Sequence, residues 1–173
     1  MHRHRPVLAA AAALFLSTLS PPGAAADAAP AAKPAAAPKA APDRASIDRG
    51  RYLVRTSGCN DCHTPGYTQQ NGQVDEKLWL TGDGLGWSGP WGTTYPTNLR
   101  LWMQKQSEAE WVDIARHFQP RPPMPWFNVQ AMTEADLRAI YRYITWLGPA
   151  GKPAPAYVPP GGQPKGPVVR FPG

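Results

Sequence analysis

The 173-residue chain has two cysteines, and both fall in one short run, Cys59-Asn60-Asp61-Cys62-His63. Any fold assigned to it has to account for those thiols. A disulfide between residues three apart closes so short a loop that it removes little entropy from the unfolded chain. A thioredoxin-like dithiol would end a strand and open the helix of a βαβ unit, yet nothing ahead of Cys59 reads as a strand. A structural zinc site takes four ligands. Beyond the cysteines and the first few residues, only His63 and His117 are available, at a spacing unsuited to a finger. The order C-x-x-C-H does suit covalent attachment of haem c. Each thiol adds across a vinyl group to leave a thioether, and the histidine that follows lies under the macrocycle, where its imidazole binds iron. The motif predicts one covalent haem held by Cys59 and Cys62, with His63 as an axial ligand.

That chemistry fits an exported chain. Arg3 and Arg5 precede an apolar run, Val7 to Leu19, and Ala24-Ala25-Ala26 offers a small-residue cleavage site, so residues 1–26 read as a secretory signal. The run falls short of the about 20 apolar residues that span a bilayer, and no later segment is apolar enough to do so. The expectation is a periplasmic protein without a transmembrane span, membrane-associated only if the signal is retained. Residues 27–43 are almost entirely Ala, Pro and Lys; proline blocks a regular helix and Ala buries too little to offset chain ordering, so they read as a tether. Residues 149–173 are a Pro/Gly-rich tail, leaving 44–148 as one small domain. The chain carries a net charge of +6, but eleven Lys and Arg stand against ten Asp and Glu between 44 and 148. The excess lies outside the domain, which argues against nucleic-acid binding by a basic face.

An electron-transfer haem takes a second axial ligand, and the candidates are Met103, His117, Met124 and Met132. Met124 lies in Arg121-Pro122-Pro123-Met124-Pro125-Trp126, where proline on both sides fixes φ and holds the segment rigid and extended. His117 falls near the end of a predicted helix, an ordinary place for a capping or surface histidine. Met132 precedes a helix start, where an apolar residue acts as a staple, and Met103 stands in a Leu/Trp-rich stretch as core filler.

Three helices are legible. The first runs from Ile47 to Thr56, capped by Ser46 and ended by Gly58. The second starts at Ser107 with a Ser107/Glu110 capping box and presents Trp111, Ile114, Ala115 and Phe118 at helical spacing. The third starts at Thr133 with a similar Thr133/Asp136 box and buries Leu137, Ile140, Tyr141 and Ile144. Between Pro65 and Gln106 there are many glycines and four tryptophans, Trp79, Trp87, Trp91 and Trp102, with little helical periodicity, so loops are expected there.

The attachment motif near the start of the domain, the Met124 segment before the last helix and the Tyr95-Pro96-Thr97-Asn98-Leu99 stretch together resemble a class I monohaem cytochrome c over residues 46–148. The resemblance implies an all-α cytochrome c fold, three to four helices around one covalent haem with long Gly/Pro/Trp-rich loops. It implies Met124 as second axial ligand, and a tight crossing of the first and last helices, for which Gly50 stands opposite Ile140, Tyr141 and Tyr143. In the family's Pro-Asn-Leu region a backbone carbonyl accepts from the proximal histidine's ring N–H; here Thr97 intervenes, leaving open which carbonyl serves. Trp91 or Trp126 is a candidate donor to a haem propionate. The long Pro/Gly/Trp insertion resembles haem domains of cytochromes that serve periplasmic dehydrogenases. The implied function is single-electron transfer between redox protein partners (a dehydrogenase, an oxidase or a quinol-oxidising complex), without catalysis by the chain itself. Two alternatives stand beside it: the electron-accepting subunit of a dehydrogenase complex, with tether and tail as interaction arms, spacer or a surface-laid tail, and a sensor or peroxidase-like protein with an open iron site.

Overall fold

The computed structural model describes residues 43–172; the signal and nearly all of the tether lie outside them. The described chain forms helix α1 (Arg44–Thr56), α2 (Cys59–His63), a single 3₁₀ turn at Glu76–Leu78, strands β1 (Gly86–Gly89) and β2 (Gly92–Thr94), then α3 (Leu99–Met103), α4 (Glu108–His117), α5 (Trp126–Gln130), α6 (Glu134–Leu147) and strand β3 (Val168–Arg170). Three of these helices, α1, α4 and α6, are those the periodicity predicts. The others, α2, α3 and α5, have five residues each, too few for a 3.6-residue repeat to show.

The helical scaffold follows from apolar stripes and one glycine. Ile47, Leu53 and Val54 of α1 are buried against Leu137, Ile140, Tyr143 and Ile144 of α6, each fully buried side chain contributing about 1.5–3 kcal/mol of transfer free energy. The crossing is close at Gly50: a Cβ there would lie 2.1 Å from the Ala139 carbonyl oxygen and 2.6 Å from the Tyr143 Cβ. Arg49 bridges to Asp136 at 2.8 Å, tying the two helices at one edge. Glu108 of α4 pairs with Arg138 at 3.1 Å and Arg142 at 2.8 Å on α6.

Two of the predicted caps differ. The α1 N-cap is Asp43, whose carboxylate accepts the Ser46 N–H at 2.8 Å; the Ser46 hydroxyl instead accepts from Arg142. At α6 the Thr133 hydroxyl accepts the Asp136 N–H, but Asp136 turns its carboxylate to Arg49 rather than closing the box. The Ser107/Glu110 box of α4 is complete, both bonds being present. The longer glutamate reaches back to the cap N–H, while the aspartate at α6 joins two helices instead.

The C-terminus of α6 is closed from elsewhere in the chain. Arg100, buried, donates to the carbonyls of Leu147, Gly148 and Lys77. Its positive charge lies at the negative end of the helix dipole and satisfies carbonyls the helix leaves open.

The small sheet departs from an all-α chain. β1 and β2 form an antiparallel hairpin, with Trp87 opposite Thr94. β3 adds to the other edge of β1 in parallel, with Val169 opposite Trp87, in the order β2-β1-β3. The tail that brings β3 there is bonded along its course. Asn98 Nδ2 donates to the carbonyls of Ala150 and Lys152, Thr93 and Val158 exchange backbone bonds at 2.7 and 3.0 Å, and the Tyr157 hydroxyl donates to the Trp91 carbonyl. Gly92 makes the approach possible, since a Cβ there would stand 2.4 Å from the Val158 oxygen. Among the described residues no helix is long and apolar enough to cross a membrane.

Candidate cofactor site

The attachment motif folds as α2, and its helical form decides what it presents. Gly58 takes the left-handed conformation, φ 73°, between the end of α1 and the start of α2, a turn glycine adopts without a Cβ penalty. In one helical turn, residues i, i+3 and i+4 share a face. Cys59, Cys62 and His63 therefore point one way. Asn60, on another side, is buried and takes the Thr64 hydroxyl proton at 2.7 Å, while that hydroxyl oxygen accepts the Leu80 N–H.

Both cysteines are free thiols. Burial pushes the Cys59 thiol up to about 11, with Asp61 and Cys62 adding to the rise; burial and then Asp61 raise Cys62 as well. A reactive redox dithiol takes the opposite shift. Among the described residues there is also no group of three or more His, Cys, Asp or Glu side chains able to hold a metal ion.

His63 is oriented on both sides. Its Nδ1–H donates to the Thr97 carbonyl at 2.7 Å, and its own carbonyl accepts from Gly82 N–H at 2.8 Å. Burial lowers the His63 pKa, and the bond to Thr97 opposes that. The ring is then neutral, with the proton on Nδ1 and the lone pair on Nε2, the form in which histidine binds a metal. The carbonyl left open by the sequence is thus that of Thr97 itself. Next to it, the Asn98 side chain caps α3 by accepting the Leu101 N–H.

Met124 lies half-buried in the proline-rich loop between α4 and α5. The Pro122 carbonyl accepts the Thr94 hydroxyl at 2.8 Å, and the Arg121 guanidinium lies 3.8 Å over the Tyr157 ring. The Met124 carbonyl accepts the Trp126 N–H. One stretch of chain thus touches both halves of the site, Thr97 at His63 and Thr94 at the Met124 loop. Three residues of extended chain reach no more than about 11 Å. The alternative ligands are differently placed. Met103 is 1 % exposed in the core, and Met132 packs beside that core. His117 is exposed on the last turn of α4, its Nδ1–H donating to the Asp113 carbonyl.

The tryptophans divide by where their N–H groups go. Trp79 donates to Val74, Trp111 to Leu137 and Trp91 to the Trp87 carbonyl, so Trp91 already has a protein acceptor. The Trp87 Nε1–H is buried and unpartnered. No sequence signal singles it out, because its surroundings come from strands that pair across the chain.

The donor set fits a haem: two protonated thiols and a neutral, oriented imidazole on one face, with a thioether loop tied to the same short stretch, residues 94–97. Residues 47–148, more than half of the chain, match the family model for cytochrome c. The chain belongs to the cytochrome c family, and this domain is an electron-transfer unit whose cofactor is covalent haem c. Among curated proteins it is 32 % identical to the fructose dehydrogenase cytochrome subunit of Gluconobacter japonicus over 65 % of this chain and 24 % of that protein. It is 28 % identical to the cytochrome c subunit of a quinone alcohol dehydrogenase from Gluconacetobacter polyoxogenes, over 59 % of this chain and 22 % of that one. A like subunit from Komagataeibacter europaeus matches to the same extent. The chain therefore spans less than a quarter of the length of these relatives. No solved structure matches.

Proposed function

We propose that Cys59 and Cys62 form the two thioethers to a single haem, that His63 Nε2 and Met124 Sδ are its axial ligands, and that the protein passes single electrons between exported redox partners. The observation that carries this reading is the α2 turn, with Cys59, Cys62 and His63 on one face and the His63 ring held by Thr97. The haem supplies a one-electron Fe(III)/Fe(II) couple. The chain's own residues orient and insulate it: Thr97 holds the imidazole, the prolines hold the thioether, and the apolar shell lowers the local dielectric, favouring the less charged state. With both axial positions filled by protein, no position is left for a substrate, which argues for transfer rather than catalysis by the chain.

The relatives' subunit roles support a second, narrower reading in which the donor is a periplasmic dehydrogenase and this chain its electron acceptor. Phe127, 59 % exposed on α5 beside the Met124 loop, adds an apolar contact of the kind small, transient redox interfaces use.

The test is an absorption spectrum of protein made with haem-maturation machinery, after an acid-solvent wash that extracts non-covalent haem. Retained haem, with a weak far-red sulfur-to-iron band in the ferric form, is the expected result. Haem lost in the wash overturns the Cys59/Cys62 attachment. Retained haem without that band, together with carbon monoxide binding to the ferrous form, overturns Met124 ligation.

A further inference from the structure

The loop that carries Met124 is poorly equipped to hold itself closed. Four of the seven residues between Phe118 and Trp126 are proline, and each removes a backbone N–H that could have tied the loop to a neighbour. Its base is fastened, since Gln130 Nε2 donates to the Phe118 carbonyl at 3.0 Å. Its middle is gripped from outside at two adjacent residues. The Pro122 carbonyl accepts the Thr94 hydroxyl at 2.8 Å, and the Arg121 guanidinium lies 3.8 Å over the centre of the Tyr157 ring.

The first grip comes from β2 and the second from the C-terminal tail, and the two are joined. Thr93, next to Thr94, exchanges backbone bonds with Val158, next to Tyr157, at 2.7 and 3.0 Å. The Tyr157 hydroxyl donates to the Trp91 carbonyl at 2.8 Å, so the ring is fixed at its far end as well as through its backbone. Before it, Asn98 Nδ2 ties the tail down at Ala150 and Lys152. After it, β3 is paired with β1. A guanidinium that stacks on a ring already held in place orders only one side chain, which leaves more of the cation–π attraction as net gain. Between Arg121 and Met124 stand only Pro122 and Pro123, whose rings fix φ and leave little slack. Where Arg121 is held, Met124 is held with it.

We propose that Tyr157 is a positioning residue for Met124: its ring captures Arg121, and the C-terminal tail thereby sets how readily the loop opens and the thioether leaves the iron. The inference rests on the reading of Met124 as axial ligand. It gives residues 149–158 a part in the cofactor site of their own domain, through the loop and without contact to the haem. Thr94 holds the same loop independently, so losing Tyr157 makes opening easier without abolishing closure.

The experiment uses the full-length ferric holoprotein, with haem content and the far-red sulfur-to-iron band recorded first. Imidazole is added in excess and loss of that band is followed. An external ligand enters only after the thioether has left, so the rate reaches a plateau that reads loop opening. Tyr157→Ala is expected to raise the plateau about two- to fivefold, the range of an exposed cation–π contact. Arg121→Gln raises it equally, and the double variant is no faster than the faster single one, as for two residues acting through one contact. Tyr157→Phe, which keeps the ring, stays closer to wild type than Tyr157→Ala. The control is Tyr52→Ala on α1, which removes a like pair, Arg49 lying 5.6 Å over that ring, and leaves the plateau in place.

A Tyr157→Ala plateau equal to wild type, or one that Tyr52→Ala matches, overturns the proposal. So does a double variant whose effects multiply. If Tyr157→Ala fails to fold, Arg121→Gln on its exposed loop still decides, an unchanged plateau overturning the role given to the tail. Wild-type protein without the far-red band, or a Met124→Ala protein that keeps it, fails the ligand reading instead, and the spectra tell the two failures apart before any rate is measured.

Discussion

The α1–α6 pair and the hairpin-and-tail region hold the chain by different means. Across α1 and α6 the contact is apolar burial, with Val54, Leu137 and Tyr143 fully enclosed and Gly50 letting the backbones meet. Around β1, β2 and β3 the strands have three or four residues, and backbone exchange, side-chain-to-carbonyl bonds and stacked rings hold them together. The first region is a scaffold that folds on its own periodicity. The second is a wrap whose parts make sense only around one another, and from its edge Thr94 bonds the Met124 loop while Thr97, three residues on, bonds His63. Scaffold packing and the holding of His63 and the Met124 loop thus fall to different parts of the molecule.

Removing both thiols breaks the link between the regions most completely. Cys59→Ala/Cys62→Ala is expected to lose essentially all acid-resistant haem, read from the absorption of the washed protein. Gly50→Val attacks the scaffold alone. Overpacking against the Ala139 carbonyl costs about 1–3 kcal/mol or more, seen as a Tm lower by about 5–15 °C, with the haem spectrum unchanged in the protein that folds. Met124→Ala attacks the other region. Its midpoint potential should fall by on the order of 0.1 V or more, within the ~0.8 V range that axial ligands command, and the ferrous form should bind carbon monoxide. A Tm shift larger than that of Gly50→Val would contradict the division between the regions.

Acid acts on the scaffold through its carboxylates. Burial, the largest single influence on Glu108, pushes its pKa up, but the guanidinium groups of Arg142 and Arg138 together outweigh it and hold the carboxyl below its ordinary range. Arg49 similarly lowers Asp136. A pKa lower in the folded than in the unfolded state adds stability that is present above the unfolded value and lost as pH falls through the folded one. Tm should accordingly stay level from neutral pH to about 5 and decline below the ordinary glutamate value of about 4.3, with Glu108→Gln showing a shallower decline. The smallest effect is expected from Thr97→Ala. The His63 partner is a backbone carbonyl, so potential and spectrum should match wild type, and a changed far-red band would show that the side chain matters.

Much of the scaffold could be read in advance. The stripes of α4 and α6, the Ser107/Glu110 box and the opening at Gly50 depend on spacings within a few residues, and these survive folding unchanged. The α1 cap differs from the expected Ser46 because Asp43 is an equally good capping residue: it accepts the Ser46 N–H, while the Ser46 hydroxyl accepts from Arg142. The tail allowed several readings, from spacer to surface-laid segment, because a three-residue strand carries no periodic signal and its partner lies some eighty residues away.

The sequence by itself determined the chemistry of the site. Cys59, Cys62 and His63 fall on one helical face through their order alone, and the prolines around Met124 act through covalent limits on φ. Tertiary structure alone decided that Thr97 supplies the carbonyl to His63, that Arg100 closes α6, and that Trp87 is left with a buried and unshared proton. The physical reason is the range of the interaction. Bond geometry and helical spacing act over a few residues and leave a pattern in the chain, whereas a hydrogen bond formed across thirty or more residues exists only once the elements between have packed.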